Sequence, residues 1–176
     1  MKFILVFMVW LSSALFAQDN AGKALGAPGC GPANQKFEVK TDSGQHPVTQ
    51  PEPGKAVIYV IQDDRYFESH PRPTTRVGVD GSWVGAMRSN SYLQTSIEPG
   101  EHHLCASWQS FVGIGMGMKV AALHFTAESG ESYYFVVKDK WLRDHGPGDI
   151  KFEALDSDEG QLLASKFAFS TSYPKK

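Results

Sequence analysis

The sequence predicts an all-β, mainly antiparallel fold: a β-sandwich of about eight or nine strands with one short C-terminal helix. Three observations support this prediction. Short strand-like segments are separated by turns at intervals of about eight to twelve residues, as in sandwiches and barrels. The dipeptide Asp80-Gly81 is typical of a tight hairpin. A helix-capping pattern occurs near the C-terminus. With 176 residues, 41% of them hydrophobic, the chain has the size and composition of one globular domain.

The N-terminal segment is typical of a secretory signal peptide, with a basic residue, an apolar run and a small residue at Ala17. The alternative is a membrane anchor, but the uncharged stretch Phe3–Ala17 has fifteen residues, fewer than the roughly 20 that span a bilayer. We expect a mature chain without a transmembrane segment, either periplasmic or secreted. The expected organisation is a signal peptide at 1–17, a flexible N-terminal tail at 18–35 and a single β-sandwich domain at 36–176.

The chain has two cysteines, Cys30 and Cys105. In an exported protein an even number of cysteines favours a disulfide. Closing a loop of about 75 residues would stabilise the fold by about 4 kcal/mol in the chain-entropy picture. The alternative is two independent thiols, one buried and one on the tail.

Nine segments of the body have strand character, because each is apolar or alternates between apolar and polar residues. These segments are Phe37–Lys40, Ala56–Gln62, Thr75–Val79, Ser82–Met87, Tyr92–Ile97, Glu101–Trp108, Val120–Ala127, Ser132–Lys138 and Ile150–Leu155. Asp80-Gly81 joins the third segment to the fourth, and both positions tolerate the positive φ of a two-residue turn. Gly100 and Gly130 stand third in four-residue turns, where a type II turn needs glycine.

Two further segments complete the expected organisation. Asp63–Thr74 is polar and contains prolines, so we expect an exposed loop in which Asp63 and Asp64 are solvated. Near the C-terminus, Asp156 can cap a helix, and Glu159 three residues later completes a capping box. After about Lys166 the alternation of apolar and polar residues indicates a return to extended structure.

Several motifs, in their order, resemble a bacterial exported family, domain-of-unknown-function family 2846. They are PEPGKAVIYV, RVGVDGSWVG, NSYLQTSIEPGEHHLCA, SGESYYFVV and LDSDEGQLLASKF. The resemblance covers roughly Lys55–Phe167, about two thirds of the chain. The hairpin V-D-G-x-x-V-G and the turn-strand P-G-x-H-x-L are also similar to the PEGA group of surface β-domains. The resemblance implies a compact, mostly β, exported domain. It implies no reaction, and no catalytic residue is carried over from it.

His103 is the one weak candidate for a metal ligand. It shares a strand face with Cys105, and residues two apart on a strand can bind one zinc or copper ion. The adjacent His102 points to the opposite face, and no second pair of closely spaced ligands follows. We therefore expect no metal and no cofactor, and a half-buried histidine beside a disulfide.

The sequence has no motif for nucleophilic catalysis, since no serine lies in a G-x-S-x-G elbow. A net charge of −2 argues against nucleic-acid binding, which needs a basic face. We expect an exported, non-catalytic domain whose partner is an unknown envelope protein or surface. The alternative is a hydrolase or metal-binding protein with a site assembled from distant strands around His103.

Two features are candidates for partner binding. The aromatics at strand spacing, including Tyr59 and Tyr92, are mostly expected in the core, whereas Trp83 directly follows a hairpin turn and is expected to be exposed. The segment FVGIGMGM has no charge and carries glycine at every second position. It is either a buried strand or an exposed, adaptable loop. If it is exposed, its binding residues are Phe111, Ile114, Met116 and Met118.

Overall fold

The computed structural model describes residues 26–47, 49–68, 71–109, 118–141 and 148–176. The expected signal peptide and the candidate binding residues Phe111, Ile114 and Met116 lie outside these ranges. Within them the chain forms ten strands, arranged in two sheets, and one helix. No helix in these ranges is long and apolar enough to cross a membrane.

The sheets have six and four strands. The elements in chain order are β1 (Phe37–Asp42), β2 (Ala56–Phe67), β3 (Thr74–Val79), β4 (Ser82–Arg88), β5 (Ser91–Ile97), β6 (Gly100–Trp108), β7 (Val120–Ala127), β8 (Ser132–Trp141), β9 (Asp149–Leu155), α1 (Ser157–Lys166) and β10 (Ala168–Pro174). The larger sheet has the order β1-β10-β5-β2-β8-β9, and the smaller has the order β4-β3-β6-β7. Pairing is antiparallel except between β2 and β8 and between β10 and β5. A mostly β, mainly antiparallel fold with one short helix is thus confirmed, with ten strands instead of eight or nine.

The largest hydrophobic cluster contains residues from both sheets. Ile58 and Val60 of β2 belong to it together with Val77 of β3 and Leu104 of β6. Alternate residues of β2 point the other way, and Tyr59 belongs to a second cluster with residues of α1. Because both faces of β2 are covered, its sequence is apolar at nearly every position.

The turns follow their sequence signals. Asp80 has φ of 49° and Gly81 has φ of 84°, the positive values that a two-residue type I′ hairpin requires. The register pairs Val79 with Ser82 across this turn. Gly130 also has positive φ, 86°, in the turn between β7 and β8. The predicted hairpin is therefore confirmed.

Helix α1 begins where the capping pattern predicts. Asp156 accepts hydrogen bonds from the backbone N–H groups of Asp158 and Glu159, at 3.0 and 2.8 Å. Gly160, a poor helix former, lies directly over the ring of Tyr134, where any added Cβ would overlap the ring. Glycine at this position allows the helix to lie close against the six-stranded sheet.

The predicted disulfide is confirmed. Cys30 is bonded to Cys105 of β6, with the two Cα atoms 5.0 Å apart and the two residues 75 positions apart in the chain. Gly29 lies so close to the backbone of β6 that a Cβ there would overlap His103 and Leu104. The disulfide therefore holds the N-terminal segment directly on the four-stranded sheet.

The expectation of a flexible tail at 18–35 does not hold for its last residues. The buried guanidinium of Arg76 donates to the carbonyl oxygens of Ala33 and Gln35, at 3.0 and 2.7 Å. The indole N–H of Trp83 donates to the carbonyl of Pro32 at 2.8 Å. A glycine-rich sequence without apolar periodicity predicts flexibility, but backbone carbonyls of this segment accept hydrogen bonds from side chains of β3 and β4.

The expected loop Asp63–Thr74 is wrong over its first half. Strand β2 continues to Phe67, and Asp63 and Asp64 are buried instead of solvated. Asp63 forms a bidentate ion pair with Arg65, in which Arg65 Nη2 donates to Asp63 Oδ2 at 2.6 Å. A run of polar residues is typical of a loop, but here each acid has a bonding partner, Arg65 for Asp63 and Gln62 for Asp64.

Candidate ligand-binding site

A pocket of about 660 Å³ lies on the face of the six-stranded sheet that carries α1. This volume is within the roughly 300–1,000 Å³ of typical small-molecule sites. We call it the tyrosine pocket. Its walls are α1 on one side and, on the other, His46, Pro47 and Thr49–Pro51, which we call the proline loop. The lining residues are His46, Pro47, Thr49, Gln50, Pro51, Tyr59, Tyr92, Ser132, Tyr134, Gln161, Leu162, Ala164 and Ser165.

The floor of the pocket is formed by tyrosines from three adjacent strands, β5, β2 and β8. Tyr59 and Tyr134 are directly paired in the parallel register of β2 and β8. Their rings are stacked, with centroids 4.8 Å apart and planes inclined by 15°. The ring of Tyr92 lies 6.3 Å from that of Tyr59. Side chains alternate along a strand, so register alone places these three rings on one face.

One of these hydroxyls is used within the protein. Tyr59 Oη accepts from the backbone N–H of Thr49 and donates to the Thr49 carbonyl, both at 3.1 Å. The hydroxyls of Tyr92 and Tyr134 have no hydrogen-bond partner among the described residues. Burial, and then the neighbouring Tyr59, raises the pKa of Tyr92 to about 12, and the same causes raise the pKa of Tyr134. Both phenols are therefore neutral at physiological pH and available as hydrogen-bonding groups.

Side-chain contacts preform the proline loop over the sheet. His46 Nδ1 lies 3.1 Å from the carbonyl oxygen of Ala164 in α1, and Nε2 lies 3.1 Å from that of Ser43. Gln94 of β5 donates to Thr49 Oγ1 at 2.5 Å. Both walls are thus tied to each other and to the floor.

A second polar cluster lies at the other end of β2, where both sheets meet. Gln62 Nε2 donates to Asp64 Oδ1 at 2.9 Å and to Asp139 Oδ2 at 2.7 Å. The indole N–H of Trp108 donates to Asp139 Oδ1 at 2.9 Å. Asp64 is 0% exposed and Asp139 is 1% exposed. Neither carboxyl lines the tyrosine pocket, and the cluster connects β2 and β8 to β6.

Burial controls the protonation of these two carboxyls. Burial, and then the charge of Asp64, raises the pKa of Asp139 well above its ordinary value. Burial also raises the pKa of Asp64, although the hydrogen bond from Gln62 and the charge of Arg72 act in the opposite direction. Asp64 Oδ2 and Gln62 Oε1 are buried and accept no hydrogen bond from the described residues. The pair therefore retains a proton at pH values where exposed aspartates are ionised.

His103, the metal candidate, lies exposed on β6 beside His124 of β7, with ring centroids 4.9 Å apart. Its expected co-ligand Cys105 is oxidised in the disulfide and is no longer a thiolate. Within the described ranges, no group of three or more histidine, cysteine or acidic side chains is placed to hold a metal ion.

His102 has a structural role. Its Nδ1 lies 2.6 Å from Asp80 Oδ2 and its Nε2 lies 2.7 Å from the Glu98 carbonyl. Burial alone would lower the pKa of His102, but these two hydrogen bonds and the charge of Asp80 raise it. Asp80 Oδ1 also accepts from the backbone N–H of His103 at 2.8 Å. The Asp80-Gly81 turn is thus fastened to β6.

Of the candidate partner-binding residues, Trp83 and Met118 lie within the described ranges. Trp83 is half-buried, with the Arg76 guanidinium 4.4 Å from its ring centroid and its N–H bonded to Pro32. It is therefore not the freely exposed aromatic that we expected. Met118 is 42% exposed at the end of a described range.

Sequence reasoning missed the tyrosine pocket. Tyr59 and Tyr92 were predicted to be buried, and they are. Their position beneath α1, away from the main core, depends on strand order. Strands β5, β2 and β8 are neighbours in the sheet but lie far apart in the sequence. One sequence signal could have indicated the site. Strand β2 has apolar residues on both faces, so a second layer must cover the face that does not meet the main core.

Comparison with protein-family models, with curated proteins and with solved structures finds no match for this chain. The resemblance to family 2846 stays a prediction, and function is inferred from the geometry of the pocket.

Proposed function

We propose that the chain is an exported, non-catalytic β-sandwich domain associated with the cell envelope, and that the tyrosine pocket is its binding site. The observation that carries this proposal is a pocket of about 660 Å³ with an aromatic floor. A buried disulfide supports an oxidising compartment. A hydrophobic cluster shared by both sheets supports the sandwich arrangement.

The chemistry of the lining favours binding over catalysis. The described lining residues include no carboxylate, lysine, arginine or cysteine. The phenols of Tyr92 and Tyr134 have raised pKa values and are poor general bases at neutral pH. Both ring nitrogens of His46 contact backbone carbonyls. A nucleophile activated by a nearby base, as hydrolysis requires, is therefore absent from the described lining.

A bound compound that depends on the pocket would test the proposal. Ala164 lines the pocket from α1, and Ala164→Phe would fill part of it. Ala154, exposed on β9 outside the lining, offers the matched control Ala154→Phe. The proteins would be purified under native conditions from the producing cells, extracted with organic solvent and examined by mass spectrometry. We expect a compound from the wild type and the control, depleted in Ala164→Phe. Identical extracts from all three proteins would contradict the proposal.

A further inference from the structure

We infer that the tyrosine pocket selects an uncharged, largely apolar small molecule that carries one or two polar atoms. This inference rests on the proposed binding function and adds the chemical class of the ligand. It follows from the charge of the lining, from the Tyr134 hydroxyl at the floor and from the apolar groups at the rim.

The charge of the ligand is limited by what surrounds it. No acidic side chain, lysine or arginine is among the described lining residues. A charged ligand that entered the pocket would lose water without gaining an oppositely charged partner, and this desolvation is costly. The ring nitrogens of His46 face the backbone carbonyls of Ser43 and Ala164, so the ring directs no N–H group at a ligand. The described lining therefore offers no carboxylate to a cation and no free cationic donor to an anion.

The position of the polar atoms follows from the floor. Tyr59 is fully used by Thr49, whereas the hydroxyls of Tyr92 and Tyr134 have no partner among the described residues. Tyr92 is already 1% exposed, whereas Tyr134 is half-buried. A ligand that covers the Tyr134 hydroxyl without bonding to it would leave a buried polar group unsatisfied, which costs about 1–3 kcal/mol. A complementary ligand thus directs a polar atom toward β8.

The remainder of the ligand meets apolar groups. Leu162 of α1 is 51% exposed at the pocket, and Pro47 and Pro51 stand on the opposite wall. When an apolar ligand covers this half-exposed side chain, its apolar surface is removed from water, which favours binding. The walls are fixed by the His46 and Thr49 contacts, so binding requires little reordering.

Two fluorescent probes of similar size separate the charge classes. N-phenyl-1-naphthylamine is uncharged and has one N–H group, while 1-anilinonaphthalene-8-sulfonate has nearly the same rings and one negative charge. Each would be titrated into the purified protein and followed by its rise in emission. We expect saturable binding of the neutral probe and binding of the sulfonate at least about ten-fold weaker, because its desolvated charge has no partner.

Substitution at the rim locates the binding. Leu162→Asp adds a charge at an exposed helix position and should weaken the neutral probe by roughly five- to ten-fold. Tyr173→Asp, at a large apolar residue that is 59% exposed on β10 outside the lining, is the matched control and should change nothing. Thermal unfolding would verify that both variants are folded.

The outcomes distinguish the ligand class from the site itself. Equal or tighter binding of the sulfonate, still weakened by Leu162→Asp, would overturn the uncharged class and leave the pocket as a binding site. Binding of either probe that Leu162→Asp does not affect would place it elsewhere and overturn the inference. Absence of saturable binding by both probes would overturn the inference and the proposed function together.

Discussion

At the scale of single residues, the buried carboxyls of Asp64 and Asp139 should govern how stability depends on pH. Their pKa values are raised in the folded state, so between the ordinary value of 3.8 and the raised value the folded chain binds more protons than the unfolded chain. The free energy of unfolding should therefore fall as pH rises through this window. Urea denaturation at a series of pH values from 4 upward measures this slope.

Asp139→Asn is the variant that isolates this effect. An asparagine oxygen can still accept from Trp108, while the amide group that replaces Oδ2 loses the hydrogen bond from Gln62 Nε2, which keeps its bonds to Asp64 and Pro73. We expect the variant to fold and to lose most of the pH slope above pH 4. An unchanged slope in folded Asp139→Asn would show that the pair does not titrate as described.

The residue scale also shows why the sequence misled us at β2. Asp63 and Asp64 are consecutive acids in a polar stretch, and most such pairs are solvated. Here Arg65 pairs with Asp63 within the strand, whereas the partners of Asp64 include Gln62 and the nearby Asp139, 75 positions later. The local sequence pattern shows that a residue is polar. It does not show which distant residue strand pairing will bring beside it.

At the scale of elements, the contact of α1 with the sheet depends on Gly160. Alanine is the better helix former by about 1 kcal/mol. At this position, however, a Cβ would overlap the Tyr134 ring, and overpacking costs about 1–3 kcal/mol. Gly160→Ala should therefore lower stability or leave it unimproved, and should displace α1 from the pocket floor. Ser165→Ala, at an exposed position of the same helix, should change stability by less than about 0.5 kcal/mol.

Thermal and urea unfolding of both variants measure this difference. A clear stabilisation by Gly160→Ala would contradict the close packing of α1 on Tyr134.

Elements themselves were largely predictable: all nine predicted strands and the capped helix are present, because periodicity and turn residues are local signals. The close approach of Gly160 was not predictable, since in sequence this glycine only weakens a helix.

At the scale of the whole molecule, the disulfide joins the N-terminal segment to the four-stranded sheet. Removing it with Cys105→Ser should cost up to about 4 kcal/mol, because the unfolded chain regains the freedom of a loop of about 75 residues. If the chain is exported as proposed, the intact mass of the protein from its producing cells, alkylated without reduction, should show one bridge and a chain that begins at Gln18. Two alkylated cysteines, or a chain that retains Met1, would contradict the exported, oxidised state.

Strand order is the part of the whole molecule that the sequence did not predict. Parallel pairing of β2 with β8 brings Tyr59 beside Tyr134, and antiparallel pairing with β5 brings Tyr92 to the same face. No local pattern fixes which distant strands become neighbours. The aromatic residues of the site were therefore visible as buried residues, while their assembly into a pocket was not.

The central claim is that a ligand occupies the tyrosine pocket, and nuclear magnetic resonance of ring-labelled tyrosines tests it most directly. The chain has six tyrosines, of which Tyr59, Tyr92 and Tyr134 form the floor, and Tyr66 and Tyr173 are exposed outside the lining. On titration with N-phenyl-1-naphthylamine, we expect the ring signals of the three floor tyrosines to shift together and those of Tyr66 and Tyr173 to stay in place. Shifts at Tyr66 or Tyr173 with unchanged floor signals would contradict the claim.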